Sequence, residues 1–314
     1  MTATNSTSTS TVARLREAPD PSRPATVIAA LRVKQIGTLA APLQDSTAVS
    51  LMHEGRVVLL GGLDSSDVST STVTVLTAGT AVSGGHLFQA QHDAQGANLD
   101  GDVYVFGGGQ FSSYDHILRY EPGDERVSLV GRLPHPASDL AVTAIGGTAY
   151  IVGGYDGKRA LDTILSWHPG GSPALVGRLP ERLRYAAVAA VDAKVIILGG
   201  STEKGSSRAI LSFDPTTGLV KQVGSLPSPL THASAASLNG AVYLIGGRGS
   251  ASGSQTTSIL AVDPRDGRVR RAGTLARPLS DAAVAVVNGQ IVLAGGQSTS
   301  GTQSAIIELT PLPG

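Results

Sequence analysis

The chain has 314 residues, 39 of them glycine, and only 15% are charged. Lys plus Arg equals Asp plus Glu at 24 each, so no net field favours nucleic acid or an anionic membrane. Cysteine is absent, which removes disulfides, thiol nucleophiles and thiolate-bound metals, and no stretch reaches the roughly eighteen uninterrupted apolar residues of a spanning helix.

At the start, residues 2 to 11 (TATNSTSTST) are wholly polar and do not read as a signal peptide. We expect residues 1–28 to be a flexible Ser/Thr/Pro-rich tail and residues 29–314 to be one domain. Such a tail suits an extracytoplasmic protein, secreted or surface-anchored, whose signal or anchor is absent from this sequence, and suits an ordinary disordered start equally, so the compartment stays open. From there the chain repeats itself. An apolar run ending in two glycines occurs at Gly61, Gly107, Gly153, Gly199, Gly246 and Gly295, at intervals of 46, 46, 46, 47 and 49 residues. A period this regular is the mark of a repeat architecture.

Each repeat divides into four strands. Strand a is small and apolar, as in Ala141 to Ile145 or Ala282 to Val287. Pairs such as Asp100-Gly101, Gly146-Gly147, Asn239-Gly240 and Asn288-Gly289 then supply the hairpin turn. Strand b runs into the glycine pair. After a Ser/Gly-rich loop, strand c carries one larger apolar residue, Tyr120, Trp167, Phe213 or Val262, and leads to a turn of the form Asp-Pro-x-x-Gly, clearest at Asp214 to Gly218 and Asp263 to Gly267. Strand d ends in Gly-x-Leu.

Gly-x-Leu closes strand d at Gly85, Gly131, Gly177, Gly224 and Gly273, and appears once more at Gly37, before any strand a. At the other end only one strand, Ala305 to Leu309, follows the last glycine pair. The spacing therefore predicts an all-β ring of six blades, each of four antiparallel strands, with Arg32 to Leu39 as the outer strand of the last blade. Deleting Arg32 to Leu39 is expected to cost far more stability than deleting residues 1 to 25.

The apolar run with Gly-Gly, the aromatics Tyr120, Trp167 and Phe213, and the Asp-Pro-x-x-Gly turn resemble the Kelch repeat over about residues 32 to 314, with the flavour of bacterial Kelch-like propellers. Blade 1 departs from the pattern: TVTVLTAGT has neither the aromatic nor the Asp-Pro. The resemblance implies a six-bladed β-propeller in which the d-to-a and b-to-c loops share one face. On function it is broad, since the family includes partner-binding adaptors, a sialic-acid mutarotase and a copper-radical oxidase. The last is excluded, because its cofactor needs a cysteine cross-linked to tyrosine.

Six residues past each Gly-x-Leu leucine stand Asp45, Asp93, Asp139, Tyr185, His232 and Asp281. We expect them to ring one mouth of the central channel, where an Asp fixes the d-to-a connection through backbone hydrogen bonds. Four carboxylates are also a donor set for a hard cation, but the spacing across a channel is wide and no EF-hand-like run accompanies them, so no metal is assigned. None of the seven histidines is spaced for metal pairing, no nucleophile elbow occurs, and no cofactor is assigned.

Only twelve residues are aromatic, and five of them, Phe88, Phe111, Tyr114, Tyr155 and Tyr185, read onto the loop face of blades 2, 3 and 4 beside Asp156, Lys158, Arg159, Arg182 and Arg184. Tyr and Arg dominate binding hot spots. We therefore expect a monomeric, non-catalytic module that binds a protein segment or a glycan through Phe111, Tyr114, Tyr155, Arg159, Arg184, Tyr185, Asp139 and His232. Two alternatives stand beside it: a sugar-directed enzyme resembling the mutarotase, with Arg184 or Arg182 holding an anionic sugar and Asp139 or His232 carrying a proton, and an extracytoplasmic sensor domain.

Overall fold

The computed structural model describes residues 28–313, so most of the expected N-terminal tail lies outside the described residues. Six four-stranded antiparallel sheets surround a central channel. Their innermost strands are Thr47–Leu51, Gln95–Leu99, Ala141–Ile145, Ala187–Val191, Ser234–Leu238 and Ala283–Val287. In blades 1 to 5 the chain then steps outward, strand by strand. In blade 6 the outward order ends with the third strand, Ala305–Pro311, pairing with Leu31–Thr38 from the other end of the chain. The ring is closed by the N-terminal strand. Just before that strand, the Ala29 amide and carbonyl both bond the Tyr243 hydroxyl of blade 5, at 3.2 and 3.1 Å.

Apolar burial runs between blades. Trp167 on strand c of blade 3 is 1% exposed and takes Tyr104 and Phe106 of blade 2 edge-on at 5.1 and 5.5 Å. Phe213 of blade 4 meets Tyr150 of blade 3 at 6.0 Å in the same way. The strand c residues Tyr120, Phe213 and Val262 are fully buried, as are the Gly-x-Leu leucines from Leu39 to Leu275. Blades 3 and 4 thus present a large aromatic side chain to the blade before them, and such contacts contribute both area and ring geometry.

The glycine pairs have a single geometric task. In blade 3, Gly153 holds φ +59°, and a Cβ there would lie 2.2 Å from the Leu183 carbonyl oxygen. The Gly154 amide donates to that same oxygen at 2.9 Å. Leu183 lies in the segment leading to blade 4, so the pair grips the connection to the next blade, where no side chain fits. The other five pairs repeat this contact, and their second amides bond Gln91, Ala137, Leu230, Leu279 and Leu43 at 2.8 to 2.9 Å.

The hairpin turns follow the expected chemistry except in two places. Positive φ spans both residues at Asp100-Gly101, Asn239-Gly240 and Asn288-Gly289, but only Gly146 of Gly146-Gly147. Blade 4 makes its turn with Asp192 and Ala193, both left-handed, a conformation that sequence alone does not suggest for alanine.

Candidate functional site

Two residues before each innermost strand sits one of Asp45, Asp93, Asp139, Tyr185, His232 and Asp281, all in the left-handed region with φ from 52° to 57°. Asp, Asn and His tolerate that region better than most residues, which gives this register its composition. The six are joined backbone to backbone. Asp93, Asp139, Tyr185, His232 and Asp281 each donate an amide to the carbonyl of the ring residue before it, at 3.1, 3.1, 2.9, 3.3 and 3.0 Å, and Asp45 closes the cycle on Asp281 at 3.0 Å. The inter-blade bond is therefore made by main chain rather than by the aspartate side chains, which is where the geometry differs from the sequence expectation.

The carboxyls instead act on one another electrostatically: Asp281 and Asp93 are the charges that act most on Asp45, and Asp139 and Asp281 those that act most on Asp93. The outer two also have cationic partners: Arg184 Nη1 lies 3.1 Å from Asp139 Oδ2, and Arg248 stands near Asp281, whose Oδ2 also accepts from Ser280 at 2.5 Å. Burial, followed by the neighbouring carboxylates, pushes Asp45 and Asp93 well above the usual carboxylate range. Burial raises Asp139 and Asp281 too, against the pull of Arg184 on one and of Ser280 and Arg248 on the other. These side chains keep small exposed areas towards the channel, but dense surroundings leave too little water to hydrate a charge.

Across the ring the character changes. Tyr185 and His232 stack at 3.8 Å, and the Arg184 guanidinium lies 4.9 Å from both the Tyr155 and the Tyr185 rings. Burial holds His232 down at about 3, helped by Arg248 and Arg184. Its Nε2 faces Arg248 Nη2 at 3.1 Å and its Nδ1 faces Thr231 Oγ1 at 3.0 Å. An arginine can only donate, so Nε2 accepts and Nδ1 carries the proton. Burial, then Asp93 and Asp139, raises the Tyr185 hydroxyl, which stays protonated.

Below the ring the channel is a cavity of about 800 Å³ walled by small residues such as Ala48, Val142, Val188 and Ala235, with His53 and Asp100 towards its far end. Among the described residues no set of His, Asp and Glu side chains is arranged to hold a metal.

The candidate aromatics separate into two groups. Phe111 is 97% exposed, whereas Tyr114 is half-buried, donating to the Ala90 carbonyl at 3.2 Å and leaning on His116. Phe88, read as a loop residue of blades 2 to 4, lies on the long outer strand Thr80–Gln91 of blade 1 and is 63% exposed. Phe88, Tyr114, His116, Leu129, Arg132 and Pro136 line a groove of about 590 Å³ between blades 1 and 2. Arg159 points outward with a loose ion pair to Asp156 at 3.7 Å, and Arg182 pairs with exposed Glu203 at 3.3 Å. Arg248 was missed by sequence reasoning. It follows Gly246-Gly247 as Tyr155 follows Gly153-Gly154, and residues after the pair bridge those just before the ring, as Tyr155 does Ser138 and Arg248 does Thr231.

Comparison with known proteins agrees with this architecture. The Kelch motif matches residues 136–171, within blade 3 and the connection before it. Kelch repeat protein M-T8 of Myxoma virus (strain Lausanne) is 39% identical over 72 residues, a stretch covering 22% of this chain and 14% of that protein. The solved structure of YjhT superposes with a TM-score of 0.75 over 88% of this chain and 97% of its own, at 17% identity, a likeness of fold. The chain is a closed six-bladed β-propeller of four-stranded blades, with a Kelch motif matched over blade 3.

Proposed function

We propose that the protein is a non-catalytic binding module that takes a protein segment on its ring face, with the groove between blades 1 and 2 as the principal contact. One observation carries this reading: Phe88, 63% exposed, lines a groove together with Leu118, Leu129 and Pro136, and Phe111, 97% exposed, lies two residues before Ser113 of the same lining. Large exposed aromatics beside a concave apolar surface are the composition of a binding hot spot. Arg159 and Tyr155 extend the same face towards blade 3.

The sugar-directed enzyme has less support. Its proposed proton carriers are occupied: the His232 lone pair accepts from Arg248, and Asp139 is tied to Arg184. Neither can accept a substrate proton without first breaking a buried contact.

The test is to pan a displayed random-peptide library against the protein and titrate an enriched peptide against wild type, Phe111→Ala and Phe88→Ala. We expect either substitution to weaken binding at least about tenfold, with the melting temperature unchanged. Peptides that bind both variants as tightly as wild type, or a library that yields no enrichment, would overturn the reading.

A further inference from the structure

The outer strands of the blades do not share their charges evenly. Strand d is Leu219–Ser225 in blade 4 and Val269–Thr274 in blade 5, and Leu31–Thr38 serves blade 6. These strands follow one another along the rim. The space beside Gly224 is filled by Gly267, just before the blade 5 strand, and the space beside Gly273 by the Leu31 carbonyl, where the blade 6 strand begins. Along this line stand Lys221, Arg270, Arg271, Arg32 and Lys34, all exposed. Among the described residues none of the five has a carboxylate partner, and Arg271 bonds only the Thr274 hydroxyl, at 2.7 Å.

The acids nearby are engaged elsewhere. Asp263 and Asp266, in the turn before the blade 5 strand, pair with Arg265 at 3.2 Å and Arg268 at 2.5 Å. Glu308 stands opposite Lys34 in the blade 6 ladder and accepts from Thr310 at 3.3 Å. Blades 2 and 3 show the opposite arrangement: Arg126, Arg132, Arg178 and Arg182 pair with Glu121, Asp115, Asp162 and Glu203 at 2.5 to 3.3 Å. Charged side chains on an outer strand discourage edge-to-edge association, and the paired charges of blades 2 and 3 serve that purpose as well as unpaired ones. A chain with no net charge thus carries an unbalanced positive band on the rim of blades 4 to 6.

Two features say what such a band would hold. Each of the three strands is the last in its sheet, so one side of its backbone is open to a further strand. A polypeptide can pair with those main-chain groups along its own backbone, whereas nucleic acids and sulfated sugars have no such ladder. In addition, the exposed large apolar side chains among the described residues lie on blades 1 to 4 and none on blades 5 and 6. The band therefore offers little on which unpaired bases stack or that enters a lipid layer.

We propose that the rim of blades 4 to 6 binds an acidic polypeptide in extended form, which adds along the open edges of Val269–Thr274 and Leu31–Thr38 while its carboxylates meet Arg270, Arg271, Arg32 and Lys34. The planar fork of arginine meets a carboxylate through two parallel hydrogen bonds, which suits this partner. The surface is separate from the groove of blades 1 and 2, and the proposal does not depend on that groove.

The test titrates the protein with a fluorescently labelled peptide of alternating Glu and Thr at about 50 mM salt, followed by anisotropy. The variant Arg32→Gln, Arg270→Gln should bind at least about tenfold more weakly than wild type, whereas Arg126→Gln, Arg178→Gln, which removes the same charge from paired positions, should stay within about twofold of it. A peptide of alternating Glu and Pro with equal charge should bind more weakly than the Glu–Thr peptide, because proline has no main-chain donor. No binding by wild type, equal losses in the two variants, or equal affinity for the two peptides would overturn the proposal. Tighter binding of duplex DNA or of a sulfated polysaccharide of matched charge would overturn it too. All four substituted arginines are exposed, so the melting temperatures should match wild type. Should Arg32→Gln, Arg270→Gln fail to fold, the comparison of peptides and polyanions on wild type decides alone.

Discussion

Two arcs of the hub share a backbone and little else. Along one run Asp281, Asp45, Asp93 and Asp139; on the other Tyr185 and His232 stack face to face. Yet φ stays between 52° and 57° around the whole circle, and the link between Asp139 and Tyr185, at 2.9 Å, is as short as the 3.1 Å link between Asp45 and Asp93. The joint between blades is a main-chain device that tolerates a carboxyl, a phenol or an imidazole. Side-chain chemistry at the hub is consequently free to differ from blade to blade without altering the fold.

The strongest way to break this equivalence is to remove the strand that lets the circle close. Deleting Leu31–Thr38 strips blade 6 of its outer strand and the segment that leads to Asp45, and we expect cooperative unfolding to disappear from calorimetry. A truncated protein with the wild-type midpoint would show that the two arcs do not depend on closure. A smaller effect separates the joint from ordinary turns. Gly153→Ala and Gly289→Ala both place alanine in the left-handed region, at φ +59° and +72°, but only the first meets a carbonyl, while the second has open space around it. Denaturant titration should give a loss of about 3 kcal/mol or more for Gly153→Ala and about 1 kcal/mol for Gly289→Ala. Equal losses would mean that the grip on the blade connection contributes nothing.

The smallest effect sharpens the electrostatic contrast. Arg184→Met removes the cation beside Asp139, at a guanidinium already 36% exposed, so solvent screening limits the loss to about 1 kcal/mol. Without Arg184 the carboxyl of Asp139 titrates still higher, so the deficit is present at and above neutral pH and closes as the solution is acidified. A difference in melting temperature that stays constant with pH would remove Asp139 from the account.

Much of the frame was legible because it depends on residues that few others replace. The glycine pairs mark the ends of strand b, the Gly-x-Leu leucines are buried, and counting six residues onward from each finds the hub. Left-handed geometry explains why those positions favour Asp and His, although nothing in a single chain reveals that their amides bond in a circle. Arg248 escaped notice because its partner at Thr231 is distant in sequence, and the link appears only when the residue after each glycine pair is set against the residue before each hub position. Phe88 was assigned to a loop because blade 1 lacks the Asp-Pro turn that marks the c-to-d corner in blades 4 and 5, and its outer strand runs twelve residues, from Thr80 to Gln91.

The N-terminal strand has a further consequence for where the molecule can come apart. Because Leu31–Thr38 belongs to blade 6 and continues directly into blade 1, covalent chain crosses all six joints between blades, that between the last and the first included. The propeller is a belt whose buckle lies inside one sheet, in the ladder from Leu31 paired with Pro311 to Thr38 paired with Ala305. Heat or force that parts two neighbouring blades cannot linearise the belt until that one ladder slips, so its register, rather than any blade interface, is the weak link of the circle.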